Sequence, residues 1–245
     1  MAEKKRLDQL IQEQNPSFSR QQIQSWVMQA KVTVDGKIVT KPGTMIKQDS
    51  VLAYDIVAPK FVSRAGFKLE KALAHFGIVV EGLTVLDAGI STGGFTDCML
   101  QQGAAKIYGI DVGYGQVHEK IRNDPRVVLH ERTNLRELHD LGQKVDLVTL
   151  DLSFISVLKV MDAINDLLKP DGALLVLIKP QFEARKEDVG KGGIIKDPEI
   201  HKQVIERVLN GMKLYGYECQ GVIDSPIEGT MGNKEFLAYF KRILS

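Results

Sequence analysis

The sequence predicts an α/β protein, a doubly wound and mostly parallel sheet, preceded by a small α+β domain. Three observations carry that expectation. Val/Ile/Leu-rich runs alternate with helical runs from Leu83 onward, which specifies a parallel sheet covered on both faces. One of them, TVLDAGISTGGFTDCMLQQG at 84–103, passes from an apolar strand through a Gly/Ser/Thr-rich turn into a helix carrying Phe95, Met99 and Leu100. Near Ala58-Pro59-Lys60 the pattern changes, and before it stand two short helices and a hairpin. The expected division is a first domain at 1–58, a linker at 59–62 and a second domain at 63–245.

The elements follow in order. RLDQLIQEQ (6–14) and SRQQIQSWVMQA (19–30) have helical periodicity, and Ser19 can cap the second. KVTVDGKIVT (31–40) alternates around Asp35-Gly36, a hairpin signal, and VLAYDIV (51–57) reads as a third strand. Two helices and one small curled sheet of this length fold only marginally alone. SRAGFKLEKALAHF (63–76) reads as a helix with Phe67, Leu69, Ala72, Leu73 and Phe76 on one face.

LTVLDA (83–88), KIYGID (106–111), RVVLHE (126–131), VDLVTLD (145–151) and ALLVLIK (173–179) are the parallel strands. Between the last two, ISVLKVMDAINDLLK (155–169) reads as a periodic helix closed by Pro170-Asp171-Gly172. A helix at 198–216 leads to a terminal antiparallel hairpin, CQGVIDS (219–225) and FLAYFKRIL (236–244). Right-handed crossovers put the C-terminal ends of the parallel strands on one edge, where a site belongs. The stretch at 180–197, PQFEARKEDVGKGGIIKD, reads as a long loop, either a basic lid or a surface segment.

Composition narrows the class. The 245 residues are 44% apolar and 26% charged, as expected of a soluble globular protein. Residues 1–60 hold nine Lys/Arg against six Asp/Glu, so the slight basic surplus sits in the first domain, where nucleic acid would bind. Cys98 and Cys219 have neither disulfide nor metal-type spacing, and a cytoplasmic location is expected. His118, His130, His139 and His201 show no metal-ligand spacing, and no metal is expected. The N-terminal stretch lacks the apolar core of a signal peptide, and no run reaches the ~18 apolar residues a membrane span needs. No membrane contact and no obligate protein partner are expected.

The loop at 87–95, D-A-G-I-S-T-G-G-F, decides among cofactors. It is not a clean G-x-G-x-x-G and lacks the Gly-Lys-Ser/Thr phosphate cradle, so a P-loop is excluded and a dinucleotide site is disfavoured. It resembles motif I of Rossmann-like methyltransferases that bind S-adenosylmethionine. That resemblance implies cofactor contacts at Asp87, Gly89, Ser91, Thr92, Gly93, Gly94 and Phe95. Twenty residues past Ser91, Asp111 ends a strand, where an acidic group can accept both ribose hydroxyls of an adenosine. Thr133-Asn134, after the third strand, is placed to meet the adenine edge, and Asn134 completes the cofactor set.

The first domain resembles the S4 RNA-binding domain in Arg6-Leu7-Asp8, Ser19-Arg20, Lys31-Val-Thr-Val-Asp35-Gly36-Lys37 and Lys41-Pro42-Gly43. That family usually has a small residue near Ile23 and a Gly near Ala30, and here it has neither. The resemblance implies an RNA contact through Arg6, Arg20, Lys31, Lys37 and Lys41, and makes a basic lid over RNA a natural use for 180–197.

Asp151 ends VTLD and Lys179 ends LVLIK, and charged residues closing buried strands are rare unless used. Glu235 starts the last strand and Lys68 lies on the entry helix. Together they match the K-D-K-E tetrad of FtsJ-type RNA ribose 2′-O-methyltransferases. With VSRAGFKLEKAL, LDLSFIS, IKPQFEA, VGKGG and GNKEFLAYF, the whole chain resembles the hemolysin A (TlyA-type) family. This implies a Rossmann-like class I fold, with a seven-stranded mostly parallel sheet, that uses S-adenosylmethionine. It also implies ribosomal RNA as substrate, a ribose 2′-hydroxyl as methyl acceptor and cytidine as its nucleotide.

A 2′-hydroxyl must lose its proton as it attacks, so a base lysine needs its pKa depressed from about 10.4 by desolvation or a second cation. Lys179 is the candidate base or alkoxide stabiliser, Asp151 its orienting partner, and Lys68 and Glu235 hold the ribose. Three other readings stand beside this one. Base N-methyltransferases often carry Asp/Asn-Pro-Pro-Tyr/Phe, whereas Asp151-Leu152-Ser153-Phe154 lacks both prolines. An RNA-binding protein with a vestigial cofactor fold would not need all four tetrad positions filled. A pore-forming hemolysin would need a spanning or exposed amphipathic segment.

Overall fold

Local chemistry starts and stops the elements of the first unit. Ser19 caps a helix through a capping box: its Oγ accepts from Gln22 N at 3.3 Å and its own N–H donates to Gln22 Oε1 at 2.8 Å. Asp35 and Gly36 both take positive φ, 50° and 76°, as a two-residue hairpin turn requires. The computed structural model describes all residues except 1, 2, 17, 55–58, 230, 231, 244 and 245. It divides into two compact units, Met1–Pro59 and Lys60–Ser245.

The first unit runs β1 (Lys4–Arg6), α1 (Leu7–Gln14), α2 (Arg20–Met28), β2 (Val32–Val34), β3 (Lys37–Ile38), β4 (Met45–Lys47) and β5 (Leu52–Tyr54). One curled sheet was the expectation, but the strands form two: an antiparallel β3-β2-β5 sheet and a separate β1-β4 pair. β1 is Lys4-Lys5-Arg6, all charged, and its partner β4 is distant in sequence, so neither alternation nor a hairpin signal marks the pair. Leu7, Ile11, Ile23, Val27 and Val32 are fully buried and form the unit's core. Of the strand expected at 51–57, residues 55–57 lie outside the described residues, as do Ala58 of the expected boundary and Leu244 of the last strand.

The second unit runs α3 (Ala65–Phe76), β6 (Thr84–Ala88), α4 (Gly94–Gln101), β7 (Lys106–Ile110), α5 (Glu119–Arg122), β8 (Val127–His130), β9 (Val145–Leu150), α6 (Met161–Leu167), β10 (Leu168–Ile178), α7 (Pro180–Glu183), α8 (Pro198–Leu214), β11 (Tyr217–Asp224) and β12 (Phe236–Arg242). The seven strands are ordered β11-β12-β10-β9-β6-β7-β8, and β12 alone is antiparallel to both neighbours. Alternate residues face opposite sides. Leu86, Val148 and Val176 pack toward α6 and α8, while Val85, Leu147 and Leu175 pack with Leu69, Leu73 and Met99. The chain leaves β6 in one direction, through β7 and β8, and returns on its other side as β9. That reversal opens a crevice beyond the C-terminal ends of β6 and β9.

Four expectations change. Phe67 is 41% exposed, because it lies two residues, about 200° of helix, from the buried Leu69. The helix expected at 155–169 is α-helical only over Met161–Leu167, after a tight turn at Val157–Val160. Pro170-Asp171-Gly172 falls in a bulge of β10 between Leu168 and Ala173 instead of closing a helix. The segment 180–197 is not a structureless loop, since it holds α7 and two 3₁₀ turns, Lys186–Asp188 and Lys191–Gly193.

Candidate active site

Beyond β6 and β9 the backbones stay in contact. Asp151 N–H donates to Ala88 O at 3.0 Å, so the ladder runs one residue further than the strands. Gly89 then turns away at φ 85°, and a Cβ there would lie 2.4 Å from the Asp151 carbonyl oxygen. Only glycine fits so close a crossing. Ser91, at φ 50°, and Gly93, at φ 93°, make two further left-handed bends, and Gly93 starts α4.

Asp111 anchors this loop from β7. Its Oδ2 accepts from Ser91 N at 2.8 Å and its Oδ1 from Gly113 N at 2.7 Å. Each carboxylate oxygen keeps a lone pair for another donor. Gly89, Ser91, Asp111, Leu152, Phe154 and Ile155 are among the residues around a cleft of about 370 Å³.

A second cleft, of about 250 Å³, adjoins the first, and Ser91 and Asp151 line both. All four residues Lys68, Asp151, Lys179 and Glu235 line it, as does Thr92. Sheet register explains the meeting. Ile178 of β10 pairs with Phe236 of β12, so Lys179 and Glu235 emerge together, one residue beyond that pair. The four form two ion pairs: Lys68 Nζ to Glu235 Oε2 at 2.5 Å and Lys179 Nζ to Asp151 Oδ1 at 2.7 Å. Lys179 also donates to Ser153 Oγ at 2.9 Å. Gly229 closes over Glu235, since a Cβ on it would touch Glu235 Oε1.

The other cofactor candidates divide. Gly89, Ser91, Thr92, Gly94 and Phe95 line a small crevice between the two clefts. Gly93 lines none of the three, and its place is the bend against Ile121. Asp87 lines none of the three clefts: it is fully buried, accepting from Thr96 Oγ1 at 2.6 Å and Thr149 Oγ1 at 3.0 Å. Burial pushes its carboxyl up to about 6. Its two bonds tie β6 to α4 and β9. Asn134 lines the larger cleft, but its side chain is committed locally, accepting from Arg136 N at 3.2 Å and donating to Glu137 Oε1 at 2.5 Å. Sequence reasoning missed Phe154, 90% exposed at the rim with φ 65°, and Ser63, whose Oγ is buried at the tetrad cleft.

In the first unit, Arg6 and Arg20 meet on one carboxylate. Asp8, fully buried, accepts two bonds from Arg6 at 3.0 and 2.9 Å, one from Arg20 at 3.3 Å and one from Gln24 at 2.9 Å. Arg6, then Gln24 and Arg20, hold its carboxyl well below the usual range against the opposing cost of burial. Lys31, Lys37 and Lys41 are exposed on the same unit.

Comparison with known proteins agrees with this architecture. The FtsJ-like methyltransferase family matches residues 61–242, and the S4 domain matches residues 5–52. The 16S/23S rRNA (cytidine-2′-O)-methyltransferase TlyA of Mycobacterium tuberculosis is 40% identical over 244 residues, covering 98% of this chain and 91% of that protein. Hemolysin A of Brachyspira hyodysenteriae is 39% identical over 239 residues, covering 96% and 99%. A solved structure of a hemolysin candidate from Streptococcus thermophilus superposes with a TM-score of 0.76 at 38% identity, covering 100% of this chain and 90% of that one. An S-adenosylmethionine-dependent methyltransferase of Mesorhizobium loti shares the fold alone, at 17% identity and a TM-score of 0.54 over 73% of this chain and 99% of that one. The chain belongs to the FtsJ-like methyltransferase family, with an S4 domain ahead of the methyltransferase fold.

Proposed function

We propose that this protein transfers a methyl group from S-adenosylmethionine to the 2′-hydroxyl of a cytidine ribose in ribosomal RNA. The observation that carries the reading is the convergence of Lys68, Asp151, Lys179 and Glu235 on one cleft that shares Ser91 and Asp151 with its neighbour. The larger cleft suits the cofactor by its donor set. Asp111 offers free lone pairs to a ribose diol, and Ile110, Leu152 and Ile155 offer apolar walls to a base. Gly89 lets the loop close where any Cβ would strike Asp151. Ser91, Thr92, Gly94 and Phe95 would hold the methionine part.

Bound there, the cofactor supplies an electrophilic methyl carbon on a positively charged sulfur. The chain's own residues prepare the oxygen. With its two N–H bonds directed to Asp151 and Ser153, the neutral Lys179 amine would turn its lone pair to the 2′-hydroxyl and take its proton as the oxygen bonds the methyl carbon, and the ammonium so formed would stay paired with Asp151. Glu235 holds Lys68 in the same cleft, and this second pair fixes the ribose. Much of the rate would come from holding oxygen and methyl in line. The 11% side-chain exposure of both lysines limits competing water.

Arg6, Arg20, Lys31, Lys37 and Lys41 would meet RNA phosphates. Such contacts give affinity without reading sequence. Ribosomal subunits place the action in the cytoplasm. Among the described residues, no helix is long and apolar enough to cross a membrane.

The test is methylation of purified small and large ribosomal subunits, followed by nucleoside mass spectrometry. A 2′-O-methylcytidine product is expected. Methyl on a base nitrogen overturns the assignment, and failure to bind S-adenosylhomocysteine would instead favour an RNA-binding protein with a vestigial fold.

A further inference from the structure

Glu183 is a buried carboxylate with no place in the chemistry above. It is 2% exposed, and its oxygens accept from neutral groups, Ser156 Oγ at 2.6 Å and Val157 N at 2.7 Å. Burial raises its pKa. A carboxylate in such a place costs more than a neutral side chain would, so a local role should leave some trace of need. The turn at Val157–Val160 shows little. Ser156 already caps it, accepting from Leu158 N at 3.3 Å. What Glu183 adds is a bond between two different strand-end segments.

Those segments carry Asp151 and Lys179, and three contacts join them in order. Lys179 meets Asp151 and Ser153 at 2.7 and 2.9 Å. The rings of Phe182 and Phe154 lie 5.0 Å apart. Glu183 then takes Ser156 and Val157. Lys179 is also the residue that starts α7: its carbonyl accepts from Phe182 N at 2.9 Å, and Pro180 O accepts from Ala184 N at 2.8 Å. A four-residue helix has little rigidity of its own. Its orientation depends on a bond at its far end, and Glu183 supplies that bond while Arg207 Nη1 holds its carbonyl at 2.7 Å.

We propose that Glu183 is a positioning residue, which sets the orientation of α7 against the segment at 151–157 and thereby the placement of the Lys179 ammonium on Asp151. The inference rests on the methyl-transfer reading of the same cleft. Glu183 touches no substrate. It acts through the segment it clamps.

The test compares the whole protein with its Glu183→Ala and Glu183→Gln variants. Glutamine keeps an acceptor for Val157 N–H and presents its amide to Ser156. With ribosomal subunits as substrate, Glu183→Ala lowers kcat by about 10- to 100-fold, while KM for the subunit stays within about threefold. Glu183→Gln recovers most of that loss. Wild-type kcat in Glu183→Ala, measured well below its melting temperature, overturns the inference.

A crystal structure of Glu183→Ala reads the placement without activity. The Lys179–Asp151 contact is expected to open, and an unchanged contact overturns the inference. An opened contact beside a wild-type protein that methylates no ribose would strike the proposed function and leave the positioning role standing. Should Glu183→Ala fail to fold, Ser156→Ala removes one of the two bonds, and a several-fold fall in kcat is expected. Unchanged kcat in that variant overturns the inference.

Discussion

Lys179 and Asp151 follow two neighbouring parallel strands, β10 and β9, and their side chains meet with Nζ 2.7 Å from Oδ1. The lysine is held rather than free to wander, which is what alignment of a weak nucleophile requires. Lys179→Ala should lower kcat for ribose methylation by about 10²- to 10⁴-fold. Affinity for the ribosomal subunit should change by less than about threefold, because one amine among many phosphate contacts contributes little. Single-turnover methylation and filter binding, on the same preparation, measure the two quantities. Equal losses in both would move Lys179 from chemistry to RNA binding.

Gly89 and Gly115 both have positive φ, 85° and 71°, but a Cβ at Gly115 meets nothing within 4 Å, and one at Gly89 meets backbone. Gly115→Ala should therefore cost only backbone strain, about 1–2 kcal/mol. Gly89→Ala adds a clash that backbone cannot relieve, and should cost at least about 3 kcal/mol. It should also weaken S-adenosylhomocysteine binding at least about tenfold, since the displaced loop carries Ser91. Thermal melts and titration calorimetry on the two variants decide the matter.

Acid should loosen the first unit through Asp8. Its pKa is lower folded than unfolded, so its stabilisation is complete above the unfolded value of about 3.9 and is lost as pH falls toward the folded one. Trp26 is the chain's one tryptophan and lies in this unit, with Phe18 edge-on at 4.8 Å. Its fluorescence should report a chemical-unfolding midpoint that declines below about pH 4. In Asp8→Asn that decline should flatten, and a parallel decline in the variant would remove Asp8 from the account.

Asp87 should act with the opposite sign. Its folded pKa, about 6, lies above the unfolded value, so the native second unit takes up a proton that the unfolded chain does not. Stability from this group falls as pH rises between about 4 and 6, by up to about 3 kcal/mol. Asp87→Asn should lack that slope. Unfolding followed by circular dichroism at a series of pH values tests it, with the variant gaining on the wild type as pH increases.

Much of this fold is legible in local sequence. Alternating apolar runs mark the sheet, Asp35-Gly36 marks a hairpin, and the glycines around Ser91 mark a strand-to-helix loop of cofactor type. Each signal is carried by a few adjacent residues, so no long-range contact is needed to see it. The pair β1 and β4 leaves no local signal, because β1 is all charged and its partner is distant in sequence. Phe67 was misplaced because one helical turn tolerates an apolar residue off the buried face.

The sequence by itself put Asp151 and Lys179 at the ends of buried strands, Glu235 at the start of the last strand and Lys68 on the entry helix, and the family resemblance grouped the four. Asp151 beside Lys179 is an expected pair, whereas tertiary structure alone decided that Lys68 meets Glu235 across 167 residues. It also decided that Asp87 is sealed under the loop while Asp111 faces the cleft. The two aspartates close or follow adjacent strands and look alike in sequence. Their difference is burial and the donors around them, and both depend on which distant segments pack overhead.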